Sequence, residues 1–226
     1  KSLFNTVQTV YEQMAFRATH DPLTELIDRH EFEKYLNRAL TKTHRKNISH
    51  ALCHIDIIQF SIINNNYGHH IGDKLLKAIA VFLNDFLKGS HVLARVGGNE
   101  YGILFNHLNE PEAINLANQI RSALNEHPFS IEDEAISITA SVGLEMMTPE
   151  SQNISTILKH ADLACMSAKQ STGNKVVQYS ESDSEQIHHD SVMNWASKVD
   201  HALASKDLLQ VRCQKIAPVN SPETDS

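Results

Sequence analysis

Val92–Val96 and Tyr101–Phe105 are two short apolar, β-prone runs separated by Gly97-Gly98-Asn99-Glu100. This pattern constrains the fold more than any other stretch of the chain. Two glycines followed by Asn suit a tight hairpin, because both residue types tolerate positive φ. A tip with so few side chains also lets backbone approach a ligand closely.

The flanking periodicities place the hairpin among helices and other strands. Residues 1–18 read as a helix in which Leu3, Val7, Val10 and Met14 follow 4-3-4 spacing. That seam serves either a short coiled coil or an amphipathic helix lying on its own domain. His20-Asp21-Pro22-Leu23-Thr24 breaks this helix, with Asp21 placed to cap the next one and Pro22 at its first position. The next helix carries Leu26, Phe32, Leu36 and Leu40. Ala51–Ile57 is a compact strand, residues 64–69 a loop, and Gly72-Asp73 the start of a helix bearing Leu75, Leu76, Ile79, Leu83 and Phe86. After the hairpin, Ala113–Glu126 is amphipathic. Ile136–Leu144 alternates as a strand, with Ile136, Ile138, Ala140 and Val142 on one side. Ile154–Lys169 is helical and Lys175–Tyr179 a last strand. The expected fold is an α+β sandwich, with helices on a mainly antiparallel sheet. Residues 181–190 read as a polar linker. Residues 191–226 offer one helix and one strand, too little for a core. They either dock on the first domain or begin another.

The 226 residues are 41% hydrophobic and 21% charged, as in a globular protein. A net charge of −7 excludes a general nucleic-acid binder. An acidic chain binds a triphosphate only with local cations or a metal. Cys53, Cys165 and Cys213 are isolated, which fits a reducing cytoplasm. No apolar run reaches membrane-spanning length and no signal peptide is present, so no membrane contact is expected of this segment. The chain begins with Lys and reads as a piece of a longer protein, whose other parts have room for a membrane anchor.

Five segments in fixed order carry a resemblance. They are Asp21-Pro22-Leu23-Thr24 with Asp28-Arg29; Asp56-Ile57-Ile58-Gln59-Phe60-Ser61-Ile62-Ile63-Asn64-Asn65; Gly68-His69-His70-Ile71-Gly72-Asp73; Gly97-Gly98-Asn99-Glu100-Tyr101; and Ala161-Asp162 with Ala168-Lys169 and Asn174. Together they resemble the GGDEF domain, the diguanylate cyclase of bacterial cyclic di-GMP signalling, over residues 19–180. The resemblance implies a nucleotidyl-cyclase-like sandwich with an N-terminal signalling helix at 1–18. It implies a GTP site formed by Asn64, Asp73, Phe60, Lys169, Gly97 and Gly98. It also implies Mg²⁺ or Mn²⁺ held by Asp56, the Ile57 carbonyl and the residue at 99, with Glu100 as a catalytic base in an active member.

The copy is imperfect. Asn99 stands where the family has an acidic metal ligand, Ile58 where it has a second Asp, Ser61 where it has Lys, and Gly173 where many members have Arg. Lys88 and His91 occupy the positions of the family's inhibitory Arg-x-x-Asp site, which is therefore expected to be absent. Asn64 reads as a guanine contact or a turn residue, Asp73 as a guanine contact or a helix cap, and Lys169 as a phosphate contact or a solvated lysine. Trp195-Ala196 through Gln214-Lys215-Ile216-Ala217-Pro218 resembles the opening of an EAL domain, the cyclic di-GMP phosphodiesterase. The expected function is a catalytically impaired GGDEF domain, binding GTP or acting as a scaffold, that regulates an attached EAL phosphodiesterase. The alternatives are a weak cyclase working as a homodimer through the N-terminal helix, and a ligand-free interaction module.

Overall fold

The computed structural model describes residues 7–8, 13–171 and 174–180. The expected linker at 181–190, the EAL-like segment at 191–226, Leu3, Val10 and Gly173 lie outside the described residues. Residues 7–8 and, as α1, residues 13–17 are helical, and the seam residues Val7 and Met14 are exposed. Then follow α2 (Arg29–Lys46), β1 (His50–Ile57), α3 (Phe60–Tyr67), α4 (His69–Leu87), β2 (Val92–Arg95) and β3 (Glu100–Phe105). The second half contains α5 (Glu110–Glu126), β4 (Phe129–Ile131), β5 (Glu134–Ile136), β6 (Ala140–Met147), α6 (Ile154–Ser171) and β7 (Val176–Gln178).

The main sheet runs β2-β3-β1-β6-β7. Its neighbours are antiparallel except β6 and β7, which are parallel. Strands β4 and β5 form a separate ribbon. The central strand β1 is buried along its whole length because helices cover both sheet faces. Alternation decides which residue meets which layer. Cys53, Ile55 and Ile57 join a core with Tyr101, Ile103, Leu75, Ile79 and Ile120, under α4 and α5. Leu52 joins the opposite core with Phe32, Leu36, Leu104, Met147 and Ile157, under α2 and α6. Each such aliphatic or Phe side chain contributes roughly 1.5–3 kcal/mol on burial. Even positions 54 and 56 of β1 share the α2/α6 face, and this puts polar side chains beside that core.

Several local expectations are corrected. Asp28, not Asp21, caps α2, accepting from the Glu31 N–H at 2.8 Å. Asp21 instead closes a turn, accepting from the Thr24 N–H at 2.8 Å and its hydroxyl at 2.7 Å. That turn leads to Ile27, which bridges to Ala94 at the edge of β2 and leaves Leu26 outside the helix. Residues 64–69 are not a loop. Helix α3 continues to Tyr67 because Phe60 and Ile63 pack on the core, which overrides the poor helix propensity of three asparagines. The break is confined to Gly68, whose φ of 84° suits glycine. Helix α4 therefore begins at His69, which puts Asp73 in its second turn and rules out a capping role. The 136–144 run divides between β5 and β6, although Ile136, Ile138, Ala140 and Val142 do share one core. At the hairpin, Gly97 and Gly98 are not among the positive-φ residues. A Cβ at Gly97 would fall 2.3 Å from Glu100 Oε2, so a side chain there would displace the Glu100 carboxylate.

Candidate functional site

The end of β1 and the signature hairpin meet as the sequence implies. Asp56 lies opposite Glu100 in the ladder, and the Ile57 N–H donates to the Asn99 carbonyl at 3.1 Å. The Asn99 side chain reaches back across this contact. Its Nδ2 donates to Asp56 Oδ1 at 3.0 Å and to the Ile57 carbonyl at 2.7 Å. The other Asp56 oxygen pairs with the Lys169 ammonium from α6. The Asp56 side chain is only 6% exposed, so these partners replace water almost completely.

These are the oxygens expected to hold a divalent cation, and each already faces a donor. Turning the Asn99 amide over would set its oxygen against two acceptors, so hydrogen bonding fixes its orientation. The donor set as arranged does not fit Mg²⁺ or Mn²⁺, which need several converging oxygens.

Beside Asp56, a cavity of about 430 Å³ opens between the sheet and helices α2 and α6. Phe32, Leu52, Val96 and Met166 supply apolar wall, while His54, Glu100 and Asp162 supply the polar groups. His54 Nδ1 is 2.8 Å from Asp162, and its Nε2 is 4.0 Å from Glu100. The hydrogen bond from His54 holds the Asp162 carboxyl below the usual range, outweighing its partial burial. Burial pushes the Cys165 thiol up to about 12, so it remains a thiol and not a nucleophile. His54 was legible in principle, because alternation from Asp56 puts it on the same face. Asp162 comes from the helix across it, a pairing that sequence spacing does not give.

The other expected end of the site is built by α3 and α4. Asn64 Oδ1 is buried without a hydrogen-bond partner. It lies against Gly72, where a Cβ would fall 1.9 Å from that oxygen and 3.1 Å from the Phe60 ring. Gly72 thus leaves the space that Asn64 and Phe60 occupy. Asp73, the next residue of α4, is exposed to solvent. Asn64, Phe60 and Gly72 are therefore brought together, with Asp73 adjacent.

Arg95 braces the hairpin. Its Nη1 donates to Asp21 Oδ1 at 2.9 Å, and its Nε and Nη2 donate to the Gly98 carbonyl at 3.2 and 2.7 Å. The Arg95 and Thr24 hydrogen bonds outweigh burial and hold the Asp21 carboxyl below its usual value. Lys88 ends α4 in a left-handed conformation, and His91 Nδ1 accepts the Asn106 N–H at 3.1 Å. Burial lowers the His91 pKa, consistent with a neutral accepting ring.

Comparison with known proteins decides the family. The model of the diguanylate cyclase GGDEF domain matches residues 18–175. The chain belongs to the GGDEF domain family. This membership places it in cyclic di-GMP signalling. A probable diguanylate cyclase, DgcE of Escherichia coli K12, is 34% identical over 74% of the chain and 15% of the relative. The cyclic di-GMP phosphodiesterase PdeB of Shewanella oneidensis is 28% identical over 87% of the chain and 22% of the relative. The chain thus spans less than a quarter of these two relatives. The GGDEF domain of PA1120 from Pseudomonas aeruginosa superposes with a TM-score of 0.71, at 28% identity over 75% of this chain and 99% of that one. The coiled coil and GGDEF domain of DgcB from Caulobacter crescentus, solved with c-di-GMP, gives 0.72 at 23% identity, covering 78% of this chain and 94% of that one. The latter likeness concerns the fold alone. No helix among the described residues is long and apolar enough to cross a membrane.

Proposed function

We propose that this GGDEF domain has given up turnover and serves as a GTP-binding regulatory module for an attached EAL phosphodiesterase. One observation carries the reading: the Asn99 amide and the Lys169 ammonium occupy the Asp56 and Ile57 oxygens that a catalytic metal would need. Phosphoryl transfer depends on positioning and on neutralising charge on the transferred group. A site whose carboxylate is already neutralised from within lacks the means for the second task. The base end supports retained recognition. Asn64 Oδ1 has no protein partner where it packs on Gly72, so turning the amide outward forfeits no hydrogen bond, and Asp73 is open to accept from guanine N–H groups.

Support for the attached phosphodiesterase comes from the match to PdeB. Coverage of 87% of 226 residues runs past residue 190 wherever it starts, so it includes part of the EAL-like segment.

The direct test is calorimetry with GTP, alongside an assay for cyclic di-GMP in Mn²⁺. GTP binding without product is the expected result. Absence of binding up to millimolar GTP would leave only a scaffold. Steady product formation by the native chain would restore the weak-cyclase reading, for which Asp56 and Glu100 are the retained residues.

A further inference from the structure

We infer that this site selects guanine compounds by the base alone, so that guanosine, GMP and GTP bind with comparable affinity and without a divalent cation. The inference rests on the proposed base recognition by Asn64 and Asp73 and adds what becomes of the phosphates.

Around the cavity beside Asp56 stand three cations, Arg29, Lys159 and Lys169, against four carboxylates, Glu33, Asp56, Glu100 and Asp162. The balance is negative before any phosphate arrives, and His54 is committed to Asp162. Lys169 is held by Asp56. Arg95 is taken up by Asp21 and the Gly98 carbonyl, and Lys74 by Glu132. Ser61 offers a hydroxyl where a cation would be expected.

A metal would ordinarily bridge an acidic site to a polyanion, but the Asn99 amide faces the oxygens it would use. Releasing Lys169 to a phosphate would strand a nearly buried Asp56 carboxylate with only an amide partner, which is costly. Arg29 is paired with Glu33, which leaves Lys159 as the one cavity cation without a partner among the described residues, so each added phosphate meets net like-charge repulsion that a single exposed lysine offsets only in part. The base contacts on α3 and α4 lie on different elements from this charge cluster.

The experiment is calorimetry on the 226-residue chain with guanosine, GMP and GTP, each in EDTA and in millimolar Mg²⁺, at low and at moderate salt. The expected dissociation constants agree within about threefold, less than the tenfold that corresponds to 1.4 kcal/mol. They are unmoved by Mg²⁺. GTP gains on guanosine as salt rises, because screening relieves the repulsion. GTP binding more than about tenfold tighter than guanosine, or demanding Mg²⁺, overturns the inference while leaving GTP recognition intact. Failure of all three compounds to bind overturns both readings. In Asn99→Asp, a Mg²⁺-dependent preference for GTP of about tenfold is expected. Continued indifference in that variant overturns the assignment to Asn99.

Discussion

The two ends of the site differ in how their polar groups are satisfied. At the base end, Asn64 Oδ1 is buried without a partner and Asp73 projects into solvent. At the metal end, both Asp56 oxygens and the Ile57 carbonyl have internal donors. Unsatisfied groups retain capacity for a ligand, whereas satisfied ones must first give up a bond. On the proposed reading, the contrast teaches that chemistry is lost by closure from internal donors and not by erosion into a loose surface. The metal end is closed by an amide that fills two acceptors and an ammonium that supplies the neutralising charge.

The largest test of this contrast breaks the closed end. Asn99→Asp removes two donors and sets a second carboxylate beside Asp56. A loss of about 3 kcal/mol is expected in EDTA, as for a nearly buried charge left uncompensated. Thermal melts should recover much of it in millimolar Mg²⁺, because a ligand specific to the folded state stabilises it. Equal melts with and without Mg²⁺ would show that Asp56 is neutralised some other way.

Next comes the open end. Asp73→Asn exchanges an acceptor-only carboxylate for an amide and should weaken guanosine binding by roughly 1.5–3 kcal/mol, measured by calorimetry. Stability should barely change, since Asp73 is exposed. Gly72→Ala should also reduce binding, because its methyl would displace Asn64. Its signature is a fall in both affinity and melting temperature, overpacking typically costing about 1–3 kcal/mol.

The smallest effect lies outside both ends. His50 and His91 have pKa values lowered from 6.5, each chiefly by burial. Their rings stay neutral in the fold below the pH at which they protonate in the unfolded chain. The unfolded state therefore binds more protons as pH falls through 6.5, and stability drops in that window. Urea midpoints should decline from pH 7 to 5.5. Substituting Gln at both positions should flatten the decline.

Much of the frame was legible in the sequence. The hairpin, β1, the helical face of α4 and the shared side of Ile136 to Val142 follow from apolar spacing, which records burial directly. Asp56 and Asn99 lie in contact, as expected of a strand end against the hairpin tip. The helix at 64–67 was missed because packing of Phe60 and Ile63 outweighed local propensity. The Asp21 turn was misread because Asp-Pro suits a cap and a turn equally. Within the site, residue identity at 99 gives the expectation of a missing ligand. It did not reveal that the amide would turn its hydrogens onto Asp56, which depends on three-dimensional placement of acceptors from another strand.

Gly143 shows how narrow the tolerance of this frame is. A Cβ there would come within 2.1 Å of the Ala161 carbonyl and 2.4 Å of the Cys165 N–H, both in the backbone of α6. A single hydrogen atom thus sets the gap between β6 and the helix that carries Asp162 and Lys169. A sequence drifting at position 99 changes what the site can do, but one drifting at 143 would move two of the groups from which the site is assembled. Any laboratory change at the hairpin therefore depends on a glycine two strands away whose own neighbours are the backbone of α6.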